Sequence, residues 1–168
     1  MRFVLLIIVV ACSIMLGRVI SSQYSERAKL LERLSTGARY IRINMINKKM
    51  TFEAALDAGG RAAGAHVFSR AAEAAGKDPR IAGEALAELA TARDEAQRQS
   101  KEDRARTAEL IAALYEAAGD EQIDSAVGIF LRSNDAEAER AQKDAARRSR
   151  IARSLCALTG AAIAILLA

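Results

Sequence analysis

Residues 136–168 read AEAERAQKDAARRSRIARSLCALTGAAIAILLA. The first half alternates alanine with charge, the second half carries no charge from Leu155 onward, and no proline interrupts either. Alanine, arginine, glutamate and leucine are strong helix formers. The stretch therefore predicts one long helix that runs from about Glu121 through a polar neck into an apolar end. Charges four apart on such a neck pair for a few tenths of a kcal/mol each. A helix that is polar nearly all round is expected to be a strut or a partner-binding surface. The apolar end is shorter than the ~20 residues that span hydrocarbon. Ile151 and Ala152 extend it past Arg153, whose charge can snorkel to the headgroups. Residues 151–168 are thus expected to form a C-terminal transmembrane helix.

The opposite end has the same character. Phe3 to Gly17 is uncharged, and Arg18 is followed by the apolar Val19 and Ile20. An uncleaved transmembrane helix over residues 1–20 accounts for this run. A cleaved signal peptide is the rival, although Val19-Ile20-Ser21-Ser22 makes a poor cleavage site. A lipoprotein signal would place the lipidated Cys12 in mid-run. Both flanks carry more basic charge on the inner side: Arg140, Lys143, Arg147, Arg148, Arg150 and Arg153 at one end, Arg18, Arg27, Lys29 and Arg33 at the other. Basic juxtamembrane clusters stay cytoplasmic. The expectation is a two-pass protein of the cell membrane with residues 21–150 in the cytoplasm. Arg18, Arg147, Arg148, Arg150 and Arg153 are its expected membrane contacts.

Between the ends the pattern is helical throughout, and the fold class expected is all-α, a helical bundle flanked by the two membrane helices. Tyr24, Leu31, Leu34, Ala38, Ile41 and Met45 form one stripe at intervals of three, four and seven, widened by Leu30, Tyr40, Ile43 and Ile46. Asn47-Lys48 ends that helix, and Thr51 is a good N-cap for the next. The second helix is expected to start at Phe52, with Gly59-Gly60 as its weak point, and to run on with a bend through Val67, Phe68, Ala71, Ala72 and Ala75 until Gly76. Asp78-Pro79 suits an N-cap and first helical position. Ile81, Ala85, Leu86 and Leu89 mark another helix, which fades into a polar stretch from Ala92 to Arg104. Leu110, Ile111, Leu114 and Tyr115 are the expected buried face of a helix over Thr107 to Ala118, with Gly119 as its stop.

Composition supports this class. The chain is 51% hydrophobic but only 4% aromatic, with one proline, Pro79. That mixture suits close-packed helices and not a β-sandwich. The net charge of +4 arises from 25 basic and 21 acidic residues. The two signs are interleaved, so a membrane surface is the expected partner and nucleic acid is not. Cys12 and Cys156 both lie in the hydrophobic ends, where they are small apolar side chains. Gly59-Gly60 and Gly64 lack the lysine-serine ending of a phosphate-binding loop. His66 has no second histidine four away, and Glu84, Glu88, Asp94 and Glu95 read as a solvated face. No catalytic site, metal or cofactor is expected.

Tyr24, Arg27, Leu30 and Leu34 follow the first apolar run, and Ile46, Thr51, Phe52 and Ala55 frame the first turn. Ala141 to Arg153 leads into Leu155, Gly160, Ile163, Ile165, Leu166 and Leu167. In these residues, and in a layout that covers nearly the whole chain, the protein resembles the stage III sporulation protein AB family. It departs from that family's pattern where Met45, Lys48, Lys49 and Phe52 stand at acidic, tyrosine, glycine and proline places, and where Cys156 stands near a place at which a glycine is usual. The turn Ala117-Ala118-Gly119-Asp120 keeps only the glycine of the usual leucine-glycine pair. The resemblance implies a non-enzymatic subunit of a multiprotein complex in the membranes between mother cell and forespore. It also implies a helical domain similar to the inner-membrane platform proteins of type II secretion and type IV pilus machines. Its partners would then be other stage III sporulation proteins and a secretion-type ATPase met in the mother-cell cytoplasm, and homo-oligomers are compatible with it. A membrane-tethered regulator or sensor that binds a cytoplasmic partner is the alternative, and a secreted helical protein a third.

Overall fold

The computed structural model describes residues 2–77, 83–91 and 99–167, with side chains outside 2–14, 16–24, 84, 152–153, 156–157 and 160–167. Every regular element among the described residues is a helix. In order they are α1 (Arg2–Ile46), α2 (Phe52–Ala63), α3 (His66–Lys77), α4 (Gly83–Thr91), α5 (Lys101–Glu116) and α6 (Asp120–Leu167). The last helix is continuous as expected, and the first is continuous as well. α1 spans 45 residues and α6 spans 48 without a break.

The chain divides into two compact units, Lys29–Ala138 and a second made of Met1–Ala28 with Glu139–Ala168. In the first unit the α1 stripe is buried where it was expected, at Leu31, Leu34, Ala38 and Ile41. Leu56 of α2, Phe68 of α3, Leu86 of α4, Ile111 and Leu114 of α5, and Val127 of α6 are fully buried as well, and Phe130 of α6 nearly so. Burying each large apolar side chain is worth about 1.5–3 kcal/mol. Two widening residues behave differently from expectation: Tyr40 is 46% exposed and Ile43 45%. Leu89 of α4 is exposed as well. They lie on the outward flanks of their helices, beyond the arc that neighbouring helices cover.

The turns show what local sequence can and cannot decide. α1 ends at Ile46 as expected, and Thr51 is the N-cap of α2, though its hydroxyl makes no capping bond. The continuous helix expected from Phe52 to Ala75 is in fact two. α2 stops at Gly64, a left-handed C-cap at φ 63, not at Gly59-Gly60. The Gly64 amide donates to the Arg61 carbonyl, and the Ala65 amide donates back to the Gly60 carbonyl at 2.9 Å. This pair of reversed bonds is the Schellman arrangement, which needs a left-handed residue and here finds glycine. Gly59 and Gly60 lie inside α2 and are buried.

α5 begins six residues earlier than expected. Ser100 accepts from the Asp103 amide at 3.1 Å, and the Asp103 carboxylate accepts from the Ser100 amide at 3.0 Å. Such a reciprocal capping box satisfies two orphan donors, and its serine is worth about 1 kcal/mol. α5 ends at Glu116, just short of the expected Ala118. Tyr115 is only partly buried and meets Phe52 of α2 edge-on, with ring centroids 5.4 Å apart. The expected cap at Asp78-Pro79, and Ile81, Asp94 and Glu95, lie outside the described residues.

One residue carries an unusual backbone. Lys49, in the turn between α1 and α2, has φ 52. It occupies the place where the resemblance puts a glycine, and a left-handed conformation costs a side-chain-bearing residue about 1–2 kcal/mol. Lys49→Gly is therefore expected to raise the unfolding free energy by about 1 kcal/mol, read as a higher urea midpoint by circular dichroism. The half-exposed Lys49–Asp120 ion pair that would be lost is worth less than that.

In the second unit, α6 is not polar all round as expected. Ala141, Ala145 and Ser149 are buried at intervals of four, forming a seam of small residues. Ile151, Leu155 and Leu158 are exposed further along. Among the described residues no helix is long and apolar enough to cross a membrane. Most side chains of the two apolar ends, on which the spanning expectation rests, lie outside the described residues.

Candidate functional site

Within the first unit, α1 and α6 run antiparallel, and polar side chains fix their register. Asn134 is 1% exposed and donates to the Leu31 carbonyl at 2.7 Å and to the Ser35 hydroxyl at 2.8 Å. Ser35 in turn donates to Asp135 at 2.5 Å, and the other Asp135 oxygen accepts from Arg39 at 2.8 Å. The run Asn134–Ser35–Asp135–Arg39 thus goes from the buried interface to solvent, each group polarising the next. Arg42–Asp124 and Lys49–Asp120 continue the pairing toward the turn ends of the two helices. These outer pairs are about half exposed, so each adds at most about 1 kcal/mol. The buried amide is the specific element. Sequence reasoning passed over Asn134, yet it sits in the stripe of Ile123, Val127 and Phe130, a polar residue at an apolar position.

At that end of the pair lies an open groove of about 570 Å³. Ile43 and Ile46 supply its apolar wall, Asp120 and Glu121 supply carboxylates from the first turn of α6, and Asp124 adds one from the next turn. Acidic side chains belong there because the helix N-terminus carries partial positive charge. Arg42 is the one basic side chain on the lining. Tyr40, one turn before Ile43, prolongs the exposed apolar face beyond the groove.

The basic residues expected to face a membrane are placed as follows. Arg147, Arg148 and Arg150 are exposed on α6, while Ala141, Ala145 and Ser149 are its buried positions. The side chains of Arg18 and Arg153 lie outside the described residues. Nearby, Lys143 donates to Glu139 at 2.6 Å and holds that carboxyl below its usual range. Lys77 does the same for Glu73 on α3. For both, the contribution to stability exists above the ordinary carboxylate pKa and is lost as pH falls through the lowered one. Full exposure makes it small. His66 is exposed at the start of α3, and no group of three metal-ligating side chains occurs among the described residues.

Within residues 29–138 the architecture is an all-α bundle in which α1 and α6 pack antiparallel, clamped by a buried amide and open in a groove at their turn ends. The sequence model of the stage III sporulation protein AB family matches residues 2–168, and the chain belongs to that family. Membership gives it a role in sporulation. No functionally curated protein and no solved structure matches it.

Proposed function

We propose that the chain is a non-enzymatic, membrane-anchored scaffold subunit of a secretion-like complex between mother cell and forespore, with its helical bundle in the mother-cell cytoplasm. The observation that carries this reading is continuity. α1 and α6 each pass without interruption between an uncharged run, 3–17 or 155–167, and a bundle where Asn134 joins them. A helix pair so joined resists sliding and suits a part that holds or transmits force between a membrane and soluble partners. The exposed Arg147, Arg148 and Arg150 suit the anionic cytoplasmic leaflet, where each basic charge near the surface is worth ~1 kcal/mol. The partners proposed are other stage III sporulation proteins and a secretion-type ATPase.

Side-specific labelling tests the reading. In a chain with Cys12 and Cys156 replaced by alanine, Ala113→Cys on the exposed face of α5 should react with a membrane-impermeant maleimide only after the mother-cell membrane is opened. Labelling in intact cells, or recovery of the chain in the soluble fraction, would sink the proposal. Changing Arg147, Arg148, Arg150 and Arg153 to glutamine should randomise orientation, so that a substantial fraction of Ala113→Cys labels from outside.

A further inference from the structure

The groove at the turn ends of α1 and α6 has a chemical character of its own. Ile43 is 45% exposed, and Tyr40, three residues earlier on the same face, is 46% exposed. Both stand outside the fully buried stripe of Leu31, Leu34, Ala38 and Ile41 on the same helix. Ile46 carries the strip into the groove itself. An apolar surface that extends beyond its cavity suits an elongated occupant better than a small molecule, which would fill the cavity and leave Tyr40 uncovered.

Charge narrows the occupant further. Three carboxylates line the groove against one guanidinium. Asp120 and Asp124 are engaged by Lys49 and Arg42 from the α1 side. Glu121 is exposed at the opening and has no ion pair among the described residues. The groove thus offers an apolar strip bordered by one unanswered negative charge, which favours cations and disfavours anions at its rim. Helix-in-groove recognition supplies the complementary shape, with apolar anchors three or four residues apart on one face.

We propose that this groove docks a helix of a partner protein that presents two aliphatic or aromatic side chains one turn apart, flanked by a lysine or arginine. The anchors cover Ile43 and Tyr40, and the flanking cation meets Glu121. This rests on the scaffold reading, for which it names the surface where one partner is held.

The test uses the full-length chain in sporulating cells, with benzoylphenylalanine in place of Ile43 and, as a separate control, in place of Leu89. Leu89 is an apolar residue on α4, somewhat more exposed than Ile43 and not on the groove lining. Irradiation should join position 43 to one protein, and the crosslinked peptide should contain the apolar pair with a basic residue within one turn. Glu121→Lys should lower that yield at least tenfold while leaving any product at position 89 unchanged. Crosslinking to a second copy of this chain, to lipid, or to a peptide without a basic flank would overturn the proposal. So would no product at position 43, or a yield indifferent to Glu121→Lys. Fractionation of the same cells keeps the two readings apart. A chain that stays in the membrane but fails these tests removes only the groove assignment, whereas a soluble chain removes the scaffold reading beneath it.

Discussion

Gly60→Val is expected to destabilise the bundle by about 3 kcal/mol, while Gly128→Ala stabilises it by about 0.5–1 kcal/mol. A Cβ at Gly60 would lie 2.8 Å from the Ser69 amide nitrogen and 3.1 Å from the Ala65 carbonyl oxygen, and it would also overlap the Ser69 hydroxyl. Two of these atoms are backbone, the Ala65 carbonyl in the α2–α3 turn and the Ser69 amide inside α3, and Gly64 and the Gly60–Ala65 hydrogen bond already constrain that turn. They have nowhere to yield. Alanine would recover part of the cost through its better helix propensity, by about 1 kcal/mol, whereas valine recovers less and adds bulk. A Cβ at Gly128, inside α6, meets nothing within 4 Å, so only the propensity gain remains. Urea unfolding followed by circular dichroism measures both. Should Gly60→Val fall within 0.5 kcal/mol of the natural chain, the close approach of α2 and α3 is not as described.

The same contacts explain one failure of sequence reading. A glycine pair inside an alanine-rich run reads as a break, because local propensity penalises it there. Gly59 and Gly60 are instead where helices touch. A Cβ at Gly59 would lie 2.5 Å from Ile41 and 3.0 Å from the Gly37 carbonyl on α1, and one at Gly37 would lie 2.8 Å from the Phe68 ring. Only the partner helices make these glycines intelligible, and single-sequence patterns contain no partners. The true stop, Gly64, looked no different from its neighbours by composition.

Where a pattern repeats over many turns, the sequence was sufficient. The stripe from Leu31 to Ile41 is the core face of α1, and the unbroken run from Glu121 onward is one helix. Both depend on periodicity and on the absence of breakers, which survive whatever packs against them. The start of α5 was missed because its capping box uses Asp103 where glutamate or glutamine is the usual signal. The seam of Ala141, Ala145 and Ser149 was missed because small residues weigh little in a hydropathy pattern, although helices pack closely on them. The exposed arginines of α6 could be read directly as a run of charge. The groove could not, since its two walls are about eighty residues apart in the chain and meet only through the antiparallel pairing.

That pairing hinges on Asn134, and Asn134→Asp is expected to cost about 3–5 kcal/mol at neutral pH. The substitution replaces a two-donor amide by an acceptor-only carboxylate. It would leave the Leu31 carbonyl facing negative charge where it now accepts at 2.7 Å, in a site with 1% exposure. Asp135 stands next in sequence and already binds Ser35. Burial and the neighbouring carboxylate both raise the folded-state pKa of the introduced group above its unfolded value. The folded chain therefore binds a proton that the unfolded chain has released, and the penalty is largest above the raised pKa. It diminishes as pH falls through that value toward about 4, where the unfolded carboxyl also becomes protonated. Asn134→Leu has similar volume and no charge. It should cost only about 1–2 kcal/mol, because Ser35 keeps its bond to Asp135, and its cost should not vary with pH. Urea midpoints of the three chains across that pH range decide the matter. A constant gap between Asn134→Asp and the natural chain would mean that the side chain has reached water, and that the two long helices can shift their register. A pair free to shift could not hold a membrane and a partner at fixed distance, so the same measurement bears on the scaffold reading.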